Sequence, residues 1–488
     1  MSIKNESLKS NIVYSALLSV ANLIFPLITF PYITRVLSPE GIGKINFSNS
    51  IVSYFVMVVM LGIPTYGMRE VARRSKDKRA LGQLVQELLI INTLLLVVCI
   101  IAYFGAISLI PKFSKDFILY LLMGTQIIFN VLGVEWFYRG VESFKYITIR
   151  SIVAKVFSFV LVFALVKDES DLLIYAAITV IANAGSYLLN FWNLRKFNLE
   201  FVPFSNLRIK KHLKPLLILF ATSIATNIST QVDTTMLGFV HGDVEVGYYS
   251  IAVKVKNILI ALTGAVSTAV FPRLVALSSN PVLYKKLLKK VYLYLMLITA
   301  PATVFFFFYA EETVLLLAGE SYRAAIVPMQ IITITVFIVT FSCLFGGRVL
   351  VSLNKAGTQL NSVICGTVVN CVSNAILIPK FGVSGAATAT VLSEFTVLLY
   401  CLVKVPKEYR ISFEMKDVAK IIIATFMAIS VASLTKNVCE NVFLKFIYGA
   451  GSFGIIYLIL LVMLREEVVI NLIKKCKEKG IREIFKEF

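Results

Sequence analysis

Arg35-Val36-Leu37-Ser38-Pro39-Glu40-Gly41-Ile42-Gly43, continued by Arg69-Glu70-Val71-Ala72-Arg73-Arg74-Ser75, has a second copy in the same chain. Moving 204 positions on, Val36, Gly43, Arg69, Val71, Ala72 and Ser75 return as Val240, Gly247, Arg273, Val275, Ala276 and Ser279. Membrane proteins made of two related halves hold their substrate between them, so the repeat points to a transporter. The alternative is chance similarity between two apolar helices.

Outward from that stretch the composition is that of a membrane protein. Hydrophobic residues make up 58% of the 488 and charged residues 16%, against roughly 25% charged in a soluble domain. The mean hydropathy is +0.82. With about 20 residues per crossing, the apolar runs predict fourteen helices. They lie near 11–34, 45–66, 84–107, 117–136, 148–166, 172–194, 213–239, 248–270, 287–309, 326–347, 359–378, 385–403, 421–435 and 446–464. No small-residue cleavage pattern follows the first run, so it reads as a retained span.

The net charge of +20 is a matter of topology. If the loops are sorted alternately, most of the basic residues fall on the side of the N-terminus. They include Arg69 to Arg79, Arg195 to Lys214, Lys285 to Lys290, Lys404 to Lys420 and the run after Arg465. Basic loops stay cytoplasmic, which predicts both termini inside and anionic headgroups as partners, and argues against nucleic acid. Most of the seven cysteines lie in apolar helices and none forms a CxxC pair, so they read as core residues. His212 and His241 are far apart in sequence, so neither a metal nor any cofactor is expected.

The repeat organises the chain into 1–200 (spans one to six), 201–404 (spans seven to twelve), 405–464 (two further spans) and 465–488. The last is a charged tail that reads as an interfacial helix on Val469, Leu472, Ile473, Ile481 and Phe485. A second echo sets Val141-Glu142-Ser143-Phe144-Lys145 beside Val351-Ser352-Leu353-Asn354-Lys355. Both repeats are an even number of spans apart, so the halves share an orientation. The fold class is therefore all-α integral membrane, two parallel-related six-helix bundles plus two C-terminal helices.

Inside the spans, Ser15, Ser19, Asn22, Pro26 and Thr29 share one face of span one. The shifted positions in span seven are Leu219, Ser223, Thr226, Thr230 and Asp233, widened by Asn227 and Gln231. Polar stripes in lipid turn toward protein or water. Matched stripes suggest one shared cavity, and ordinary hydrogen-bonded helix packing is the alternative. Lys155, Lys254 and Lys256 lie well inside spans, and Arg150 lies near a helix end where it could snorkel. A buried lysine costs at least ~2.5 kcal/mol on insertion scales, so an anion should accompany it, either an internal acid such as Asp233 or a substrate phosphate. Glu87 and Glu135 read as helix-end residues, which leaves Asp233 and Glu394 as the acids within spans. That balance favours an anionic cargo, and Glu394 is a candidate for proton coupling.

These residues carry a resemblance. Tyr32-Ile33-Thr34-Arg35-Val36-Leu37 with Pro39-Glu40-Gly41-Ile42-Gly43 is similar to the start of Wzx-type lipid-linked oligosaccharide flippases. So is the run Asn370, Asn374, Ile378-Pro379-Lys380-Phe381-Gly382, Gly385-Ala386-Ala387, Ala389-Thr390 and Glu394. These flippases belong to the multidrug/oligosaccharidyl-lipid/polysaccharide exporter superfamily. The resemblance implies a monomer with two bundles around an alternating-access cavity. It implies transport of an undecaprenyl-diphosphate-linked saccharide, as in O-antigen and lipopolysaccharide assembly, from inner to outer leaflet of the bacterial cytoplasmic membrane. It also implies no enzymatic activity, drive from a Na+ or H+ gradient, and association with a polysaccharide polymerase.

Carried onto this sequence, Lys155 and Lys254 are candidates for holding the diphosphate. Asn22, Thr226, Asn227 and Gln231 are candidates for lining the cavity. Arg69 and Arg273 would guard its mouth or anchor loops, and Asp233 and Glu394 would act as counter-ion or coupling groups. A multidrug exporter and a lipid II flippase of the same fold are the near alternatives. A membrane oligosaccharide polymerase is the alternative from another class, but the loop 310–325 offers only Glu311, Glu312 and Glu320, with no paired catalytic set.

Overall fold

The computed structural model describes residues 8–411, 415–434, 436, 440–466 and 468–470. Every regular element among them is helical. In chain order the helices are α1 (Leu8–Val36), α2 (Pro39–Met60), α3 (Ile63–Arg74), α4 (Lys78–Leu109), α5 (Pro111–Lys115), α6 (Phe117–Gly133), α7 (Glu135–Gly140), α8 (Phe144–Leu165), α9 (Leu172–Val180) and α10 (Tyr187–Asn193). They continue with α11 (Lys210–Val240), α12 (Asp243–Ala276), α13 (Pro281–Phe308), α14 (Ala310–Ala318), α15 (Ile326–Ser342), α16 (Ala356–Lys404), α17 (Met415–Leu434) and α18 (Val442–Met463).

Helices are what lipid demands, because a spanning segment must satisfy its own backbone. Their starts follow ordinary capping chemistry. Ser38 accepts from the Gly41 N–H with Pro39 in the first turn, and Asp77 accepts from Arg79 and Ala80. Asn280 caps α13 ahead of Pro281, and Asn441 caps α18.

Among the described residues, 13 helical segments are long and apolar enough to cross a membrane. The longest, α16, is interrupted at Gly382, whose φ of 51° and ψ of −128° leave the helical region. It is two spans joined by a tight turn, which brings the described residues to the fourteen spans expected. The segment 471–488, with Leu472, Ile473, Ile481 and Phe485 of the expected interfacial tail, lies outside the described residues, as do Cys439 and Cys476.

The chain divides into two compact units, Met1–Thr235 and Met236–Phe488. The division falls within α11.

In the first unit α1 and α8 run side by side in the same direction. Thr148 donates to the Tyr14 carbonyl at 3.0 Å and the Tyr32 hydroxyl to the Val166 carbonyl at 2.7 Å, both across 134 positions. Phe25 and Phe159 meet edge-on between them. The crossing α2–α3 is broken at Leu61 and Gly62, both left-handed. A β-carbon at Gly62 would come within 2.9–3.1 Å of Leu219 Cβ, the Phe220 nitrogen and the Leu216 carbonyl, so glycine is what lets α11 pass this break. Around it Ile63, Tyr66, Leu84, Leu88, Trp136, Phe137 and Leu216 form a buried core. The following span has a π-helical turn, Ile181–Gly185, between α9 and α10.

In the second unit Tyr284, Leu288, Leu295, Phe341, Leu344, Ile421 and Phe453 belong to one buried cluster that joins α13, α15, α17 and α18. The Gly382 turn is held by α12 and the turn before it. His241 Nε2 lies 2.8 Å from the Ile378 carbonyl, and Glu245 accepts from the Val383 N–H at 3.3 Å.

Backbone geometry repeats across the units. α1 and α11 end at the matched residues Val36 and Val240, and α2 and α12 begin at Pro39 and Asp243. Glu142 and Asn354 share a φ of 58°, and each is followed by the same five-residue closure, Ser143 N–H to Tyr138 O and Lys355 N–H to Leu350 O. Geometry thus aligns Glu142 with Asn354, two positions away from the alignment the sequence echo suggests.

Candidate substrate-binding site

The register between α1 and α8 sets the depth of Lys155. Thr148 is level with Tyr14 and Val166 with Tyr32, so Lys155 is level with Ala21 and Asn22. Lys155 is half-buried and Asn22 is exposed. Among the described residues Lys155 makes no hydrogen bond or ion pair. Along the α1 stripe, Ser15, Ser19 and Asn22 are exposed. Ser19 donates to the Ser15 carbonyl at 2.9 Å and Thr29 to Phe25 at 3.0 Å. Those hydroxyls are satisfied inside their own helix, as is usual for such residues in spans.

The α11 stripe rests partly on α2. Ser53 Oγ lies 3.5 Å from Asn227 Oδ1, and the Thr235 hydroxyl lies 3.1 Å from Ser50 Oγ and 3.3 Å from the Tyr54 hydroxyl. Thr226 is exposed and returns its proton to the Thr222 carbonyl at 3.1 Å. Gln231 is half-buried and Asp233 is buried. Ser50, Ser53 and Tyr54 are partners the sequence reading did not name. They alternate among apolar residues of α2 and carry no distinctive motif.

Arg69 is half-exposed. It lies 3.7 Å from Glu70, which Arg73 and Arg74 reach more closely at 3.0 Å, and 5.6 Å from the Tyr66 ring centre. It is part of a surface cluster on α3. In the second unit Lys254 and Lys256 are half-buried on α12, Arg273 is exposed near its end, and Glu394 is half-buried on α16. Asn374 donates to Asn370 at 3.3 Å along the same helix, with both side chains buried.

Two acids set aside as helix-end residues turn out to be central to polar networks. Glu87 is fully buried and lies 2.7 Å from His212 Nε2 and 2.9 Å from Lys211. It also accepts from the Arg208 backbone at 2.7 Å and from Gln83 at 2.8 Å. His212 Nδ1 lies 2.7 Å from the Tyr66 hydroxyl. Glu135 pairs with Arg139 at 2.7 Å and faces Arg150 at 3.6 Å. Arg150 does not snorkel, because its side chain is 3% exposed. The acids of the loop 310–325 are also engaged. Glu311 and Glu320 both pair with Arg323, and Glu312 pairs with Lys436 at 2.9 Å.

What this arrangement offers chemically is a half-buried ammonium, Lys155, inside a span and level with Asn22. Among the described residues no group of three or more His, Cys, Asp or Glu could hold a metal ion.

Comparison with known proteins puts this geometry in context. A family model described as polysaccharide biosynthesis protein matches residues 8–278, and one described as lipid II flippase MurJ matches 150–454. A protein named "Putative O-antigen transporter" from Escherichia coli (strain K12) is 25% identical over 357 residues, 72% of this chain and 86% of that protein. The inward closed structure of the lipid II flippase MurJ superposes with a TM-score of 0.75 at 18% identity, covering 94% of this chain and all of that one. An outward-facing multidrug resistance MATE family transporter of the MOP superfamily gives a TM-score of 0.55 at 15% identity over 83% of this chain and 97% of that one. The two solved structures share its fold.

Proposed function

Because the chain belongs to the polysaccharide biosynthesis protein family, with a multi-pass all-α fold of the MOP superfamily, we propose that it is a flippase for an undecaprenyl-diphosphate-linked oligosaccharide. It takes the lipid from the inner to the outer leaflet of the bacterial cytoplasmic membrane, with both termini cytoplasmic. The observation that carries this reading is Lys155, a cation well inside a spanning helix with no counter-ion among the described residues. Leaving a charge there without an anion is costly, and a diphosphate supplies the missing partner by charge-assisted hydrogen bonds.

Lys155 and Lys254 hold the diphosphate in turn as the halves alternate. Asn22, Thr226, Asn227 and Gln231 meet the sugar, and Arg273 stands at the entrance. Asp233 and Glu394 exchange Na+ or H+ so that the gradient drives the cycle. No covalent chemistry is required of the protein, which is a transporter and not an enzyme. It acts as a monomer beside a polysaccharide polymerase.

A lipid II flippase is the second reading, favoured by the MurJ model matched over residues 150–454. Both cargoes carry the same diphosphate and differ in the sugar. Reconstituted proteoliposomes holding a fluorescent polyprenyl-diphosphate saccharide, probed by an impermeant quencher, test the proposal. Faster exposure of the headgroup than in protein-free vesicles supports flipping. The same assay with a lipid II headgroup separates the two cargoes. No exposure of either under an imposed gradient overturns both.

A further inference from the structure

Arg150 lies in a second polar setting, on a different face of α8 from Lys155. Five residues at 100° each put the two side chains about 140° apart. The Arg150 side forms one wall of a cavity of about 710 Å³, with the π-helical turn and α10 opposite. The π turn widens that helix beside the cavity, a feature frequent at functional positions.

The cavity has two ends. One holds Ser143, Lys145 and Arg150 with Ser186 opposite; the other runs along Val153 and Phe157. Its lining includes two basic residues and no acidic one. Arg150 is 3% exposed, yet its Nε and Nη1 have no hydrogen-bond partner. Nη2 reaches Ser151 at 3.3 Å, the Tyr187 ring centre is 5.3 Å away, and Glu135 at 3.6 Å is held more closely by Arg139. A guanidinium offers five donors, and leaving buried donors unsatisfied is unfavourable. The free donors call for a doubly accepting anion, which a phosphate diester supplies.

The other end sets the nature of that phosphate. Val153 and Phe157 are more than half exposed although they lie on a spanning helix. From Lys145 to Phe157 the helix rises roughly 18 Å, close to half of the roughly 30 Å hydrocarbon thickness. A cationic pocket at one end and one leaflet's depth of apolar wall at the other match a single phospholipid.

We propose that this cavity is a binding site for an anionic phospholipid of the membrane. The phosphate sits on Arg150 and Lys145, and the acyl chains lie along Val153 and Phe157. The site lies within the first unit and is independent of the cargo proposed above.

The test uses the full chain in detergent. It is titrated with phosphatidylglycerol or with phosphatidylcholine of identical acyl chains, and bound lipid is counted by native mass spectrometry. One phosphatidylglycerol should bind about tenfold or more tightly than phosphatidylcholine, and Arg150→Gln should lose that preference. Lys145→Gln, at an exposed position, should weaken it by a smaller factor. Val153→Trp should block both lipids by filling the apolar wall. If Arg150→Gln fails to fold, the Lys145 and Val153 variants decide. Equal affinity for the two lipids, or unchanged phosphatidylglycerol binding in the variants, overturns the proposal. Full displacement by inorganic phosphate would mean the site takes a free anion. Displacement by a polyprenyl diphosphate, with loss of flipping in Arg150→Gln, would make it part of the cargo path. Either result also overturns the lipid assignment.

Discussion

Glu87 and His212, 125 positions apart, meet at 2.7 Å with neither side chain exposed to solvent. Through them α3, α4 and the start of α11 share one buried knot, because His212 also touches the Tyr66 hydroxyl and Glu87 also receives the Arg208 N–H and Lys211. A single carboxylate therefore satisfies donors on two sides of a helix start.

Removing that carboxylate should be felt throughout the first unit. Glu87→Ala leaves a buried imidazole and a backbone N–H without an acceptor, a loss of about 1–3 kcal/mol for each unsatisfied buried group. Thermal unfolding in detergent should shift down clearly, with Glu87→Gln intermediate. An unchanged midpoint for Glu87→Ala would mean the knot contributes nothing net.

Lys155 should behave in the opposite way. It has no partner among the described residues, so Lys155→Ala should leave the unfolding midpoint unchanged or raised, while headgroup exposure in proteoliposomes falls by about tenfold or more, the scale of one charge-assisted contact. Lys155→Arg should retain a substantial part of the rate. Full flipping by Lys155→Ala would remove this residue from the diphosphate site.

For Lys254 the expected result is loss of transport with membrane insertion intact. Insertion is read by protease protection of the loops and transport by quencher access. Persistent transport in Lys254→Ala would assign the residue a structural role.

Arg69 is expected to matter little. It is half-exposed, and its acid partner is held more closely by Arg73 and Arg74. A pair of this kind contributes about 0–1 kcal/mol, so Arg69→Ala should change neither unfolding nor flipping by more than about threefold. A collapse of flipping would instead place Arg69 at the cargo entrance.

Gly382 should tolerate no side chain. Its φ of 51° with ψ of −128° is a glycine conformation, and a β-carbon there would stand 3.0 Å from Glu245 Oε2. Gly382→Ala should cost about 1–3 kcal/mol from backbone strain alone, read as a lower melting temperature. A melting temperature equal to the parent's would show that the turn can relax.

Much of the fold was legible because it obeys local rules. Apolar runs longer than the bilayer gave the spans, and the gap between the expected spans 359–378 and 385–403 is where the helix breaks at Gly382. The repeated Val36 and Val240 do end matching helices. The polar networks were not legible in the same way. Glu87 and Glu135 look like ordinary helix-end acids in sequence, and only tertiary packing brings His212 to one and Arg150 to the other. Arg150 near a helix start has the spacing of a snorkelling residue, and nothing local reveals that Tyr187 and Glu135 enclose it. The π-helical turn at Ile181–Gly185 lacks a signature, since Ile181-Ala182-Asn183-Ala184-Gly185 is a mostly small, apolar run with one polar residue, as other spans also have.

The parallel pairing of α1 with α8 has a consequence for how the chain is made. The contacts Tyr14 with Thr148 and Tyr32 with Val166 join residues 134 positions apart. At about 5–20 residues per second, α1 leaves the ribosome roughly 7–27 seconds before the helix that will flank it. During that interval Ser15, Ser19 and Asn22 ride on a span without its eventual neighbour. The Ser19 hydroxyl turns back onto the Ser15 carbonyl and the Thr29 hydroxyl onto Phe25, so those two donors stay satisfied while the helix waits in the bilayer. The stripe proposed to meet the cargo is, during synthesis, also suited to being left alone.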